Sequence, residues 1–197
     1  MTAVRKPVAR SYRFHLECCC RHILHRQSTK RPMPEKHEIF ISFIHEERWV
    51  AEAVKNLIEK SYKGYGVFMA NEWEIFAGED WFQRIRESLD AASIIILMLS
   101  KQSVTRPWVN FEAGAAWFTN KHVIPVCYGG ISKSTLPKPY GNLQALDLRS
   151  DIHYLLRSVS RYLPMPTISP PPVFDQASDP DYKTVLGALD QLELDMQ

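Results

Sequence analysis

The sequence predicts an α/β domain built on a parallel sheet with helices on both faces. Three observations carry that expectation. The run Ile94-Ile95-Ile96-Leu97-Met98-Leu99 is continuously apolar, too short to span a membrane and without polar alternation, as in a parallel strand buried on both faces. Pro107 then opens a helix, since its missing N–H costs nothing in a first turn. Strand and helix patterns alternate along the rest of the chain with short connections, which a parallel sheet requires.

In chain order, 38–43 reads as the first strand, and 49–60 as a helix with Val50, Val54, Leu57 and Ile58 at helical spacing. The second strand is 65–69, followed by a long loop from Ala70 to Gly78. Residues 80–91 predict an amphipathic helix with Phe82, Ile85 and Leu89 inward. Then come the buried strand 93–99, a helix over 107–120, a strand over 122–128, a Gly/Pro loop over 129–142 and a fifth strand over 143–148. A helix over 151–162 closes this part. Pro164, Pro166, Pro170, Pro171 and Pro172 form an extended linker, and 181–196 predicts a short helix with Val185, Leu186, Leu189 and Leu192 on a stripe. The expected organisation is a basic, disordered extension over 1–36, one domain over 37–163, and the linker with its helix over 164–197.

At 197 residues and 45% hydrophobic content, the chain supports one full core but hardly two. No apolar stretch approaches the ~20 residues of a membrane span. The N-terminus has no apolar core of a secretory signal, and Arg5, Arg10 and Arg13 give only a faint likeness to a transit peptide. Cys18, Cys19 and Cys20 are adjacent and Cys127 is distant, no disulfide framework, so a reducing, cytoplasmic setting is expected. Residues 1–36 hold nine Lys/Arg against two Glu, leaving the remainder acidic in balance despite the overall +2. Nucleic-acid binding is thereby confined to the extension or to a partner. His15, Cys18, Cys19 and His22 share helical spacing, but nothing downstream completes a zinc site, and no metal is expected.

The candidate site begins with Trp108 and Glu112. Four residues apart, they share one face of the helix that follows the buried strand, where open α/β sheets bind ligands. Structural alternatives stand beside this reading. Glu112 favours the helix dipole, worth ~0.3–1 kcal/mol, and tryptophans near helix starts often anchor packing. Other enzyme signatures fail: there is no GxxxxGK[ST] loop, no GxSxG elbow, and Gly64-Tyr65-Gly66 precedes a strand instead of joining strand to helix.

Five segments in order resemble a Toll/interleukin-1 receptor (TIR) domain of the bacterial, stand-alone kind. They are Phe40-Ile41-Ser42-Phe43, the loop from Asn71 to Trp81, Ser93 to Ser100, Pro107-Trp108-Val109-Asn110-Phe111-Glu112, and His122-Val123-Ile124-Pro125-Val126. The resemblance implies a flavodoxin-like, three-layer fold with a five-stranded parallel sheet in the order 2-1-3-4-5. It also implies one of two activities: cleavage of NAD at the nicotinamide–ribose bond, or non-catalytic signalling through TIR–TIR assembly. On the first reading Glu112 is the catalytic carboxylate, with Phe43, Trp108, His45 and Ser42 at the substrate. Trp73, Glu74, Phe76 and Gly78 belong to a loop that gates the site and supports assembly, and Trp73, Ile75 and Phe76 are unusually apolar for a loop. NAD enters as substrate and no cofactor is expected. A homo-oligomer, a separate sensor or effector protein and a role in anti-phage defence are further implications.

Three residues depart from the pattern or have bland alternatives. Family enzymes carry a basic residue near the first strand for the NAD phosphates, and neutral His45 grips a diphosphate less firmly than arginine. Ser42 lacks a neighbouring base and suits local backbone bonding better than nucleophilic attack. Phe43 also fits as the last core residue of its strand. A nucleoside deoxyribosyltransferase, which also works a glutamate at an anomeric carbon, shares the fold shape, but the 70–80 loop and the Trp108-to-Glu112 spacing suit the TIR reading better.

Overall fold

The computed structural model describes residues 37–69, 81–163 and 179–196, without the side chains of residues 37, 81 and 82. The basic extension, the cysteines at 18–20, the loop over 70–80 and the proline linker lie outside the described residues. All that is described belongs to one compact unit, Pro34–Gln197.

Strands β1 (His37–Ser42), β2 (Gly66–Met69), β3 (Ile94–Leu99), β4 (His122–Cys127) and β5 (Leu146–Asp147) form one sheet in the order β2-β1-β3-β4-β5. Every pairing is parallel. Helices α1 (Arg48–Ser61), α2 (Trp81–Ala91), α3 (Pro107–Phe118), α4 (Ile152–Tyr162) and α5 (Pro180–Asp195) cover it. This is the flavodoxin-like arrangement that the resemblance implied.

Side chains alternate between the two sheet faces, as the two-residue strand period requires. Ile39 and Ile41 of β1, Ile94, Ile96 and Met98 of β3, and Ile124 and Val126 of β4 build one cluster with Val50, Val54, Leu57 and Ile58 of α1. Ile152, Leu155, Leu156 and Val159 of α4 and Val185, Leu189 and Leu192 of α5 complete that cluster. On the other face Phe40, Ile95, Leu97 and Leu99 meet Ile85 and Leu89 of α2 and Val109, Ala113 and Ala116 of α3.

The fifth strand differs most in extent from the expectation. It is reduced to two residues, because β4 offers pairing only at Val126 and Cys127 and a 3-10 turn over Tyr140–Asn142 occupies the chain just before. Within the Gly/Pro loop the chain makes two such turns, the first at Lys133–Thr135 with Ser132 and Thr135 bonding reciprocally as a capping box. Helix α5 lies along α1, with Trp49 Nε1 donating to the Ala188 carbonyl at 3.4 Å and Lys60 paired with Asp181. Its far end is held by Arg149, which reaches Asp190 at 2.8 Å and Glu193 at 3.0 Å.

Candidate active site

From β1 the chain crosses through α1 to β2 on one side, while β3 lies on the other. The carboxyl ends of β1 and β3 therefore flank the point where the strand order reverses, the place at which doubly wound sheets bind ligands. Ser42 is the last residue of β1 and sits in register with Leu97 of β3. By strand parity it faces the α3 side with Phe40.

Helix α3 starts where Pro107 predicts. Its second turn delivers Glu112, which is fully buried. Trp108, one turn earlier, donates its indole N–H to Glu112 Oε1 at 2.7 Å. The Trp108 ring also stacks on half-exposed Phe111, with centroids 5.2 Å apart. The other carboxylate oxygen, Oε2, has no hydrogen-bond partner among the described residues, and neither does the buried Ser42 hydroxyl. Burial pushes the Glu112 carboxyl up to about 7, an effect that the neighbouring Ser42 hydroxyl and the Trp108 N–H partly offset. Ser42 therefore lies close enough to favour the anion, but without the geometry of a formed hydrogen bond. A buried acid with one satisfied and one open oxygen is poised to accept a donor or a positive charge from a ligand.

The remaining predicted residues divide. His45 is exposed on the 3-10 turn His45–Glu47 just past β1. That turn is tied to the start of α3 by the ion pair of Glu46 with Arg106, so it rims the same sheet end. Phe43 packs as the last core residue of its strand, the alternative the sequence offered for it. It is buried with Ile39, Ile41 and the α1 residues, on the face opposite Glu112, because it follows Ser42 by one position and so takes the other side. The structure thus brings Ser42, Trp108 and Glu112 together and does not join Phe43 to them. Trp73, Glu74, Phe76 and Gly78 lie outside the described residues. Arg48 is engaged along its own helix with Glu52 at 2.6 Å.

Sequence reasoning missed two buried groups at this end of the sheet. Glu47, not singled out in the sequence, is buried and accepts a hydrogen bond from the Tyr128 hydroxyl. Burial raises its carboxyl above the ordinary range, with the Tyr128 and Ser100 hydroxyls offsetting part of the rise. Tyr140, in the Gly/Pro loop, is buried and donates to Asn110 of α3 at 2.5 Å. An aromatic in an otherwise polar loop was the only available signal for it. Among the described residues no cluster of His, Cys, Asp or Glu is arranged to hold a metal ion. No described helix is long and apolar enough to cross a membrane.

A doubly wound parallel sheet with the buried Glu112 near its switch point defines a flavodoxin-like α/β protein whose candidate site lies at the carboxyl edge. The sequence matches the TIR domain over residues 39–159, and the chain belongs to that family. No curated protein matches the sequence significantly. Among solved structures, a metazoan TIR-STING receptor from C. gigas is 21% identical with a TM-score of 0.52, over 66% of this chain and 42% of that one. The same receptor in complex with 2',3'-cGAMP is 22% identical with a TM-score of 0.50, over 66% and 41%. The TIR domains of the activated Roq1 resistosome, which directly recognises the pathogen effector XopQ, are 17% identical with a TM-score of 0.41, over 80% and 84%. At the identities of the two receptor structures the likeness is one of fold, and the chain spans about two fifths of the receptor's length.

Proposed function

We propose that this TIR domain cleaves NAD between nicotinamide and ribose, with Glu112 as the catalytic carboxylate. The observation that carries the reading is the fully buried Glu112, braced on one oxygen by Trp108, with its other oxygen and the nearby Ser42 hydroxyl unpartnered among the described residues. Such a site stabilises positive charge far better than a solvated carboxylate does.

The chemistry asks little else of the protein. Nicotinamide in NAD is a cationic leaving group: the C1'–N bond breaks, its electron pair stays on the ring nitrogen, and the ring departs neutral. Positive charge develops on the ribose as an oxocarbenium-like state. Glu112, as the anion, stabilises that charge and accepts from ribose hydroxyls. Water then adds at C1' and loses a proton, giving ADP-ribose, or a ribose hydroxyl adds instead and gives a cyclic isomer. The indole of Trp108 offers an aromatic face to the nicotinamide while it is still cationic. His45, exposed on the rim, would meet the diphosphate in this proposal. Activity through assembly of several copies, in the cytoplasm and in anti-phage defence, extends the same proposal.

A second reading, a TIR adaptor without catalysis, draws on the open side of α3. Phe118 is 92% exposed beside a groove of about 300 Å³ lined by Ile85, Leu89 and Ala115. The deciding experiment measures NAD loss by the purified full chain at high concentration, wild type beside Glu112→Gln, with products separated by chromatography. Consumption by the wild type alone is the expected result. Equal consumption by the two proteins takes Glu112 out of the chemistry, and none in either under crowding that forces assembly moves the reading to the adaptor.

A further inference from the structure

Tyr140 opens the short 3-10 turn in the Gly/Pro loop yet is 1% exposed, an unusual placement for a loop residue. Its ring joins the α3-side cluster with Val109 and Ala113, against which Trp108 packs. Its hydroxyl donates to Asn110 Oδ1 at 2.5 Å. Asn110 turns its amide the other way, Nδ2 donating to the carbonyls of Arg106 at 3.0 Å and Val104 at 3.4 Å. This matters because α3 has no side-chain cap: Arg106 holds the N-cap position and its side chain bonds none of the open backbone N–H groups. The chain from Tyr140 through Asn110 to the Arg106 and Val104 carbonyls ties that helix start to the loop without capping its open N–H groups. Tyr140 is also near enough for the Glu112 charge to hold its phenol above the ordinary range, second to the effect of burial.

We infer that Tyr140 is a positioning residue for the site: through Asn110 it fixes the opening turns of α3 and thereby sets Trp108 and Glu112 over the carboxyl end of β1. The inference rests on the reading of Glu112 as the catalytic carboxylate. Any buried phenol needs an acceptor, so what counts is where this one finds it. Here the polar tip is spent on the one helix that carries the acid, and the acceptor is in turn bonded to the helix's own uncapped start.

Two variants of the full chain test it. Tyr140→Phe keeps the ring and removes only the hydroxyl. Asn110→Ala removes the acceptor from the exposed side of α3, leaves the core intact, and decides the matter if Tyr140→Phe fails to fold. Two readouts are followed beside the melting temperature: the titration of Glu112, by NMR of carboxyl-labelled glutamate assigned through Glu112→Gln, and NAD turnover. With the helix start loosened, water reaches Glu112 and its midpoint falls by at least roughly half a pH unit in both variants. kcat drops roughly 10- to 100-fold while KM stays within about twofold, because a carboxylate displaced by a fraction of an ångström still meets substrate but misplaces the stabilising charge. The double variant loses no more than either single one, as expected for one coupled unit.

A wild-type titration and wild-type kcat in a folded variant overturn the inference. So does a loss of turnover that only tracks the folded fraction while Glu112 titrates as before. If the wild type turns over no NAD, the proposed reaction falls, and the NMR midpoints alone decide whether Tyr140 positions Glu112.

Discussion

Glu112 titrates in the unusual direction for a carboxyl group in a folded protein, because burial outweighs the Ser42 and Trp108 groups that favour its anion. Its folded value, about 7, lies above the ordinary 4.5, so the native state holds the proton more tightly than the unfolded chain. Stability contributed by this group is present in full below pH 4.5 and is lost as pH rises through 7. Glu112→Gln removes the titration. Relative to the variant, the wild type should lose ~3 kcal/mol between pH 4.5 and 8. Urea unfolding of both proteins at the two pH values measures it, and parallel curves would refute the burial argument. If the chain cleaves NAD as proposed, the same value sets the acid limb: kcat/KM should rise with a midpoint near 7 as the anion forms. Trp108→Phe deletes the N–H on Oε1, so the midpoint should move up by roughly 1 pH unit. A downward move would mean that the indole excludes water more than it donates.

Helix α5 and helix α3 show what an element contributes beyond its own residues. Val185, Leu189 and Leu192 of α5 are buried in the α1-side core, whereas its ion pairs at Lys60 and Arg149 are exposed. Leu189→Ala should therefore cost ~2–5 kcal/mol in urea unfolding, and Lys60→Ala less than ~1 kcal/mol. The element pattern was legible in the sequence wherever periodicity was strong: the apolar run of β3, the stripe Val50, Val54, Leu57 and Ile58, and the Pro107 start of α3. Glu112 and Trp108 were legible for the same reason, since helical spacing alone puts them on one face. Phe43 had two readings in the sequence, and its packing in the α1-side core fits the strand-end one. Adjacent strand-end residues point to opposite sides, so only one of the two can stand beside α3. Tyr140 and Glu47 were not legible, because their burial comes from pairing across 30 and 81 positions of chain and leaves no local period.

Across the whole molecule the two faces are unequally dressed. The α1 side carries three helices with α5 closing it, while the α2–α3 side leaves Phe118 and half-exposed Phe111 beside an apolar groove. On the assembly reading, Phe118→Ser shifts the onset of NAD cleavage to higher protein concentration. Its stability should stay within ~0.5 kcal/mol of wild type, because the ring is already solvated. Activity against concentration, with sedimentation at the same concentrations, checks this. An unchanged onset would take α3 off the contact surface.

The parallel sheet order has a consequence for the time course of synthesis. β1 lies between β2 and β3, and its pairing with β3 joins Ile39 to Ile94, 55 positions later in the chain. At ~5–20 residues per second, Ile94 follows Ile39 from the ribosome by roughly 3–11 s. During that interval the nascent chain has only β2 to cover one edge of β1, and no hairpin offers a quicker partner. Strands then arrive on the other side in order, β3, β4 and last the two-residue β5, so the carboxyl edge that holds Ser42 and Glu112 is assembled late, from segments that have waited for one another.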